Sequence, residues 1–168
     1  MEQINYADYV EILQSMSLEE IRAVLEVLQK STDSYIYIMD LDTDTYMITS
    51  KMLTRFPFDD VVIKNATPAL QKIIYPSDYP KVKEDIRKCA AGEQETHSLE
   101  YRWLDGKGRI VWIDCRGTVI KGSGGHRLLI GRVTELGKEA KADNITGLRR
   151  EVRFKFDTEE ILRDRPET

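Results

Sequence analysis

Residues 99–120 read LEYRWLDGKGRIVWIDCRGTVI, two runs rich in aromatic and β-branched residues on either side of a short polar segment. Residues of these types favour β-strands. The segment between the runs, Asp105-Gly106-Lys107-Gly108, has the composition of a hairpin turn. The stretch therefore predicts two antiparallel strands joined by a tight turn.

Further strands are expected on both sides of this hairpin. Downstream, Gly122-Ser123-Gly124-Gly125 is a second glycine-rich turn, and residues 128–133 continue as a third strand. Upstream, residues 35–40 and 46–49 alternate with a period of two around an Asp/Thr turn, which predicts another hairpin. The sequence thus predicts an α+β domain with a five-stranded antiparallel sheet and helices on one face.

Two helices are expected before the first strand. Apolar residues recur at helical spacing through residues 4–30. Ser17-Leu18-Glu19-Glu20 reads as a capping box, so a second helix should begin after Ser17. Another helix is expected over residues 80–91. The N-terminal amphipathic helices, residues 1–31, have two interpretations: they pack on their own domain, or they offer a surface to a second copy of the chain.

Composition excludes several classes of protein. The chain has 168 residues and a net charge of −4. Residues 1–30 hold six acidic and two basic residues and so account for the whole net charge, which argues against a surface for nucleic acid or anionic membrane. Two cysteines are too few for a disulfide framework. With no long apolar span and no signal-peptide region, we expect a cytoplasmic protein.

No metal site is predicted from the acidic turn. Asp40, Asp42 and Asp44 resemble the opening of a calcium-binding loop. Such a loop needs glycine at its sixth position and glutamate at its twelfth, and this sequence has Thr45 and Lys51 there. We therefore interpret the three aspartates as a solvated turn.

The histidines and cysteines do not assemble a catalytic site in the sequence. His97 and His126 have no neighbour at a metal-ligand spacing, and we expect both at the surface. Cys89 and Cys115 have no histidine nearby in sequence to serve as a base, and we expect both to be buried small residues. No catalytic residue is therefore assigned.

Three motifs, in order, resemble those of PAS sensory domains. Glu100-Tyr101-Arg102, then Asp105-Gly106, then Val111-Trp112-Ile113, are similar to the family's E-Y-R…D-G…W pattern. Upstream, Ile74–Pro80 (IYPSDYP) resembles the I-H-P-x-D segment, with tyrosine replacing the histidine. Downstream, Ile130–Leu136 (IGRVTEL) resembles the closing I-G-x-x-x-D-I-T, with glutamate replacing the aspartate.

The resemblance implies a PAS fold over residues 32–137, with helices cupping one face of the sheet around a ligand pocket. Tyr37, Tyr101 and Trp112 are candidate ligand-binding residues, and they equally fit an ordinary core. A small metabolite is the expected ligand. Haem is not expected because neither histidine is a good ligand, and flavin is not expected because no cysteine lies in an N-C-R-F-like segment. The closing motif assigns signal transmission to Thr134, Glu135 and Leu136.

A second resemblance follows the first directly. Asp143-Asn144-Ile145-Thr146-Gly147-Leu148, followed by Phe154, is similar to the opening of GGDEF domains, the diguanylate cyclases of bacteria. The Gly-Gly-Asp/Glu-Glu-Phe signature is absent from the 168 residues. We therefore interpret residues 138–168 as a linker and the truncated start of such a domain. The fragment is not expected to be an enzyme, whereas its full-length parent is a candidate diguanylate cyclase.

Together the two resemblances imply a sensory module that regulates cyclic di-GMP signalling. We expect a homodimer, because cyclase output domains act in pairs and the N-terminal helices suit a paired arrangement. The C-terminal output domain is the second expected partner. The alternative is a dimerisation or protein-interaction PAS domain that binds no ligand.

Overall fold

The strands are β1 (Tyr35–Asp40), β2 (Thr45–Ile48), β3 (Val62–Lys64), β4 (Thr96–Leu104), β5 (Ile110–Lys121) and β6 (Arg127–Glu135). They form a six-stranded antiparallel sheet in the order β3-β2-β1-β6-β5-β4. The structure is a computed structural model that describes residues 5–121 and 125–137. The first and last strands of the domain are therefore neighbours at the centre of the sheet.

The predicted hairpin of β4 and β5 is confirmed. Leu99 pairs with Cys115 and Leu104 with Ile110. Asp105 stabilises the turn, because its carboxylate accepts hydrogen bonds from the backbone N–H groups at positions 107 and 109. Hydrogen bonding from the Arg109 backbone is the main reason that the pKa of Asp105 falls to about 2. Aspartate at the start of this turn therefore satisfies donors that the chain reversal leaves unpaired.

The sheet has six strands rather than the five expected from the sequence. The additional strand is β3, which pairs with β2 at the edge through Met47 and Val62. It is only three residues long, too short for an alternation to be recognised between the prolines at positions 57 and 68. The α+β class and the antiparallel pairing are as expected.

The two N-terminal helices are also confirmed. They are α1 (Tyr6–Ser15) and α2 (Leu18–Gln29). The Glu20 backbone N–H donates to Ser17 Oγ at 3.2 Å, and the Ser17 backbone N–H donates to the Glu20 carboxylate at 2.7 Å. This reciprocal pair is the capping box that the sequence predicts, and it separates α2 from α1.

One side of each N-terminal helix packs on the domain. The apolar contacts join Ile21 and Leu25 of α2 to Ile38 and Met47, and Val10 of α1 to Ile120 and Leu128. The first interpretation of these helices, packing on their own domain, is therefore correct for this side. Large apolar side chains are nevertheless exposed elsewhere on the two helices: Tyr9, Ile12, Leu18, Val24, Val27 and Leu28.

Three helices cover the opposite face of the sheet: α3 (Ser50–Arg55), α4 (Ala66–Ile73) and α5 (Tyr79–Ala91). The expected helix over residues 80–91 corresponds to α5. The main core lies between these helices and the sheet. Its largest buried side chains include Trp103, Tyr37, Ile48, Met52 and Ile113. Phe56 and Phe58 meet the Trp103 ring edge-on at 4.9 and 5.9 Å, so aromatic packing fills much of the interior.

Among residues 5–121 and 125–137, no helix combines the length and apolar character needed to cross a membrane. Most of the predicted glycine-rich turn, residues 122–124, lies outside the described residues, as do the predicted linker and GGDEF opening at 138–168.

Candidate functional site

Tyr37 and Tyr101 lie together in the interior, on the sheet face that α3, α4 and α5 cover. They are 2% and 3% exposed. The Tyr37 hydroxyl lies 3.5 Å from Cys115 Sγ, and Tyr101 belongs to the same core cluster as these two residues. Two of the three predicted ligand-binding side chains therefore lie in one buried cluster.

The interior phenols are protonated. Burial is the main cause that raises the pKa of Tyr37 and Tyr101 well above the ordinary value, and the neighbouring Cys115 adds to it. The ring of Tyr46 lies 5.4 Å from that of Tyr37, and burial raises its pKa in the same way. The hydroxyls consequently serve as hydrogen-bond donors inside the domain.

Trp112 lies on the other face of the sheet. Successive residues of a strand point to opposite faces, and its neighbour Ile113 belongs to the core. The Trp112 ring instead lies 5.3 Å from the Arg102 guanidinium. The structure does not bring Trp112 together with Tyr37 and Tyr101.

Arg102 is held in a buried ion pair with Asp78. Its Nε donates to Asp78 Oδ2 at 2.9 Å and its Nη2 to Oδ1 at 2.8 Å. The side chains of Arg102 and Asp78 are 8% and 14% exposed. The Tyr75 ring lies 4.1 Å from the guanidinium, so Arg102 is placed between two aromatic rings. This pair joins the I-Y-P-S-D segment to the E-Y-R segment.

The expectation that His97 lies at the surface is wrong. The residue is 1% exposed, because it shares the inward side of β4 with Tyr101. Its Nδ1 lies 2.5 Å from Asp85 Oδ2. Burial alone would lower the pKa of His97, but its interactions with Cys115 and Asp85 outweigh burial and raise the pKa.

His126 is half-buried beside the β1–β2 turn. Its Nε2 lies 3.2 Å from Asp40 Oδ2, and its Nδ1 lies 2.8 Å from Asp42 Oδ2. These three side chains are close enough together to ligate a metal ion. The imidazole already pairs with both carboxylates, however. We therefore interpret the group as a structural contact that holds the β1–β2 turn against the residue before β6.

A cleft opens between α4, α5 and the end of β1. Its volume is about 340 Å³, within the range of small-molecule sites. We call it the α4–α5 cleft. Its lining is mostly apolar, and charged side chains stand at its rim. The residues that define it are Met39, Leu41, Asp44, Thr67, Leu70, Ile74, Tyr79, Val82, Lys83, Ile86, Arg87 and Ala90.

The predicted transmitting residues lie at the end of β6. Thr134 is buried, and its Oγ1 lies 2.7 Å from Ser34 Oγ. Arg132 Nη1 donates to the same oxygen at 3.1 Å. Glu135 is the last residue of β6 and Leu136 follows it. Thr134 thus ties the end of the last strand to the residue that precedes β1.

A family model described as the PAS fold matches residues 63–133. The match spans β3 to β6 and includes both segments that the Asp78–Arg102 pair joins. The described part of the chain has the PAS fold. No curated protein sequence matches the chain.

Solved structures share this fold at low sequence identity. A sensory box histidine kinase/response regulator from Burkholderia thailandensis E264 has a TM-score of 0.53 and 16% identity, with 82% of this chain and 96% of that chain covered. The N-terminal domain of a diguanylate cyclase with PAS/PAC sensor from Marinobacter aquaeolei has a TM-score of 0.55 and 18% identity, with 64% and 98% covered. These similarities establish the fold alone.

Sequence reasoning missed one group of buried side chains: His97 with its hydrogen-bond partner Asp85, and Cys115 on the neighbouring strand. The register of the β4–β5 hairpin could have placed His97 near Cys115. If the turn pairs Leu104 with Ile110, counting back pairs Leu99 with Cys115. His97 then falls on the same face, one diagonal step from the cysteine. Asp85 comes from α5 and has no such signal in the sequence.

Proposed function

We propose that this PAS domain is the cytoplasmic sensory module of a cyclic di-GMP signalling protein. The observation that carries the proposal is the order of the two segments. The PAS domain's last strand ends at Glu135, and the GGDEF-like sequence begins eight residues later at Asp143. The Marinobacter structure, the N-terminal domain of a diguanylate cyclase with PAS/PAC sensor, supports the same arrangement.

The proposed ligand is a small metabolite with an apolar body that binds in the α4–α5 cleft. Met39, Leu70 and Val82 provide apolar surface, and Lys83 adds positive charge at the rim. A ligand with one acidic group would match this distribution, since apolar pockets obtain specificity from a few placed polar groups. Tyr37 and Tyr101 belong to the main core, and the Tyr37 hydroxyl lies 3.5 Å from Cys115 Sγ.

The pairing of β1 with β6 connects the cleft to the strand that precedes the output domain. Met39 lines the cleft on β1 and pairs with Leu129 of β6. The same strand continues to Thr134, Glu135 and Leu136. A ligand shifts this strand only if it binds one arrangement of the domain more tightly than the other. We therefore assign transmission to the β1–β6 pair.

Lengthening the connection tests the output assignment. In the protein extended through its output domain, a heptad inserted between Lys138 and Asp143 should abolish regulation, because the GGDEF-like segment begins only eight positions after Glu135. Conversion of GTP to cyclic di-GMP is the measurement, and the same seven residues added before Glu2 are the control. Residues 1–168 alone should convert no GTP. An extended protein that makes no cyclic di-GMP, or a heptad variant regulated normally, would contradict the proposal.

A second function, dimerisation without a ligand, is favoured by one observation. Much of the interior is already filled by aromatic side chains, while α1 and α2 expose apolar residues on the sides that face away from the sheet. Val27 is 66% exposed and Ile12 is 55% exposed. We propose a homodimer through these helices in either case, and the two functions differ in the occupancy of the cleft.

Native mass spectrometry separates the two functions. The purified protein should be a dimer that carries additional small-molecule mass. Ala90→Trp should remove that mass by filling the cleft, whereas Ala91→Trp should retain it, because Ala90 lines the cleft and the exposed Ala91 does not. A dimer with no added mass would favour the module without a ligand. A bare monomer would contradict both the ligand and the helix-mediated dimer.

A further inference from the structure

The side chain of Gln29, at the end of α2, bonds to the loop before β1, to β1 itself and to the residue before α3. Its Nε2 donates to the Ser34 carbonyl oxygen at 2.6 Å and to the Thr32 carbonyl oxygen at 3.2 Å. Its Oε1 accepts from the Ile36 backbone N–H at 3.1 Å and from the Thr49 hydroxyl at 2.9 Å. Gln29 is 5% exposed, so these groups take the place of water around the whole amide.

The same network continues to the end of β6. The Ser34 hydroxyl lies 2.7 Å from Thr134 Oγ1, and Arg132 Nη1 donates to that oxygen at 3.1 Å. Gln29, Ser34 and Thr134 are all buried. Ser34 therefore contacts α2 with its carbonyl group and β6 with its side chain, and it joins two elements that lie far apart in the sequence.

The network is more stable complete than half formed. If α2 left its place, the Ser34 carbonyl, the Ile36 N–H and the Thr49 hydroxyl would all lose the partner that Gln29 provides. Buried polar groups without partners are costly, and a partly satisfied network is the costliest arrangement. We therefore expect the end of α2, the start of β1 and the end of β6 to change position together.

The helix that carries Gln29 also carries an exposed apolar surface. Ile21 and Leu25 pack against the sheet on the same side of α2 as Gln29. Val24 and Val27 are exposed on the other side. Binding of a second copy of the chain to the exposed side would act on the same helix that holds the network.

We propose that α2 is an input to the end of β6, and that Gln29 is the positioning residue that couples the two. A shift of α2 changes the position of Ser34, and Ser34 changes the position of Thr134. This route differs from the one through the α4–α5 cleft, which reaches β6 by the pairing of Met39 with Leu129. The coupling requires neither a ligand nor a cyclase output domain, so its failure would leave those two proposals standing.

Amide hydrogen exchange of the purified protein tests the coupling. Gln29→Met keeps a side chain of similar length and removes all four hydrogen bonds. It should speed exchange at residues 132–134 about tenfold and leave the β4–β5 hairpin nearly unchanged, because local opening no longer has to break the network. An unchanged rate at residues 132–134, or an equal increase in the hairpin, would overturn the proposal.

Glu26→Met is the matched control for Gln29→Met. Glu26 lies on the same helix, and its carboxylate accepts hydrogen bonds from the backbone N–H and hydroxyl of Ser50. Those contacts lead to α3 and not to β6. Glu26→Met should therefore leave exchange at residues 132–134 as it is in the wild type. An increase as large as that of Gln29→Met would show that any loosening of α2 has this effect, and the role of Gln29 would be lost.

Ser34→Ala identifies the route. This substitution keeps the carbonyl group that Gln29 contacts and removes the hydroxyl that contacts Thr134. With Ser34→Ala already present, adding Gln29→Met should produce little further change at residues 132–134, because the connection is already broken. A further increase of about tenfold would contradict transmission through Ser34.

The reverse direction provides a test that keeps Gln29 in place. Coupling between two sites is reciprocal, so Thr134→Val, which removes only a hydroxyl group, should alter the surroundings of Gln29. The side-chain amide signals of Gln29 in the nuclear magnetic resonance spectrum should shift. Those of Gln94, whose amide bonds to the Asp85 and Thr96 carbonyl oxygens, should not. Unshifted Gln29 signals would also refute the coupling.

Discussion

Replacing Asp78 with alanine should reduce the free energy of unfolding by about 3–5 kcal/mol, the usual loss when one partner of a buried ion pair is removed. The guanidinium of Arg102 would remain buried between Tyr75 and Trp112 without its bidentate acceptor. Chemical denaturation followed by circular dichroism measures the effect. Glu84→Ala is the matched control, since it breaks a pair with Arg87 that is half exposed, and it should change stability much less.

The pH dependence of this loss is also expected. Burial alone would raise the pKa of Asp78, but the hydrogen bonds and charge of Arg102 outweigh it and lower the pKa. A carboxyl whose pKa is lowered in the folded state stabilises the protein above its unfolded pKa of about 4, and this contribution is lost as pH falls below that value. The difference between wild type and Asp78→Ala should therefore shrink on acidification.

A double variant identifies the cause of the destabilisation. Adding Arg102→Met to Asp78→Ala removes the unpaired charge and retains an apolar side chain between the two rings. If the buried charge causes the loss, the double variant should be more stable than Asp78→Ala alone. Equal stability of the single and double variants would show that the charge is not responsible.

Gly131→Ala should be the second large effect, a loss of about 1–3 kcal/mol or more of unfolding free energy through overpacking. A Cβ at position 131 would collide with the Arg116 carbonyl oxygen and lie 2.6 Å from Gly117 Cα. Both obstacles are backbone, so no side chain can rotate away to make room. The β5 and β6 strands would have to move apart.

Gly106→Ala is the control for Gly131→Ala. Position 106 lies in the β4–β5 turn, and a Cβ there meets no atom within 4 Å. This variant should unfold at nearly the same denaturant concentration as wild type. If Gly131→Ala were equally neutral, the close approach of β5 and β6 at this position would not constrain the sequence.

The local features of the fold follow from the sequence, because each is encoded within a few neighbouring residues. The Asp105 turn and the Ser17 capping box depend on hydrogen bonds across three or four positions. The strands of both hairpins depend on a period of two. These interactions need no knowledge of distant parts of the chain, so residue types alone predict them.

Side-chain facing and long-range pairing were harder to predict. Trp112 and Tyr101 belong to adjacent strands, and only the register shows that they lie on opposite faces. The same register places His97 inside rather than at the surface. Asp85 and Asp78 reach their partners from outside the hairpin, so their contacts depend on how the helical segment docks on the sheet.

The central position of β1 and β6 affects how easily such a domain can be moved between proteins in evolution. Tyr35 near the entrance pairs directly with Val133 near the exit, so the polypeptide arrives and departs at one place. A unit built in this way can be inserted into, or removed from, a longer polypeptide without forcing the flanking segments apart. Recombination can therefore place such a unit between different neighbouring segments.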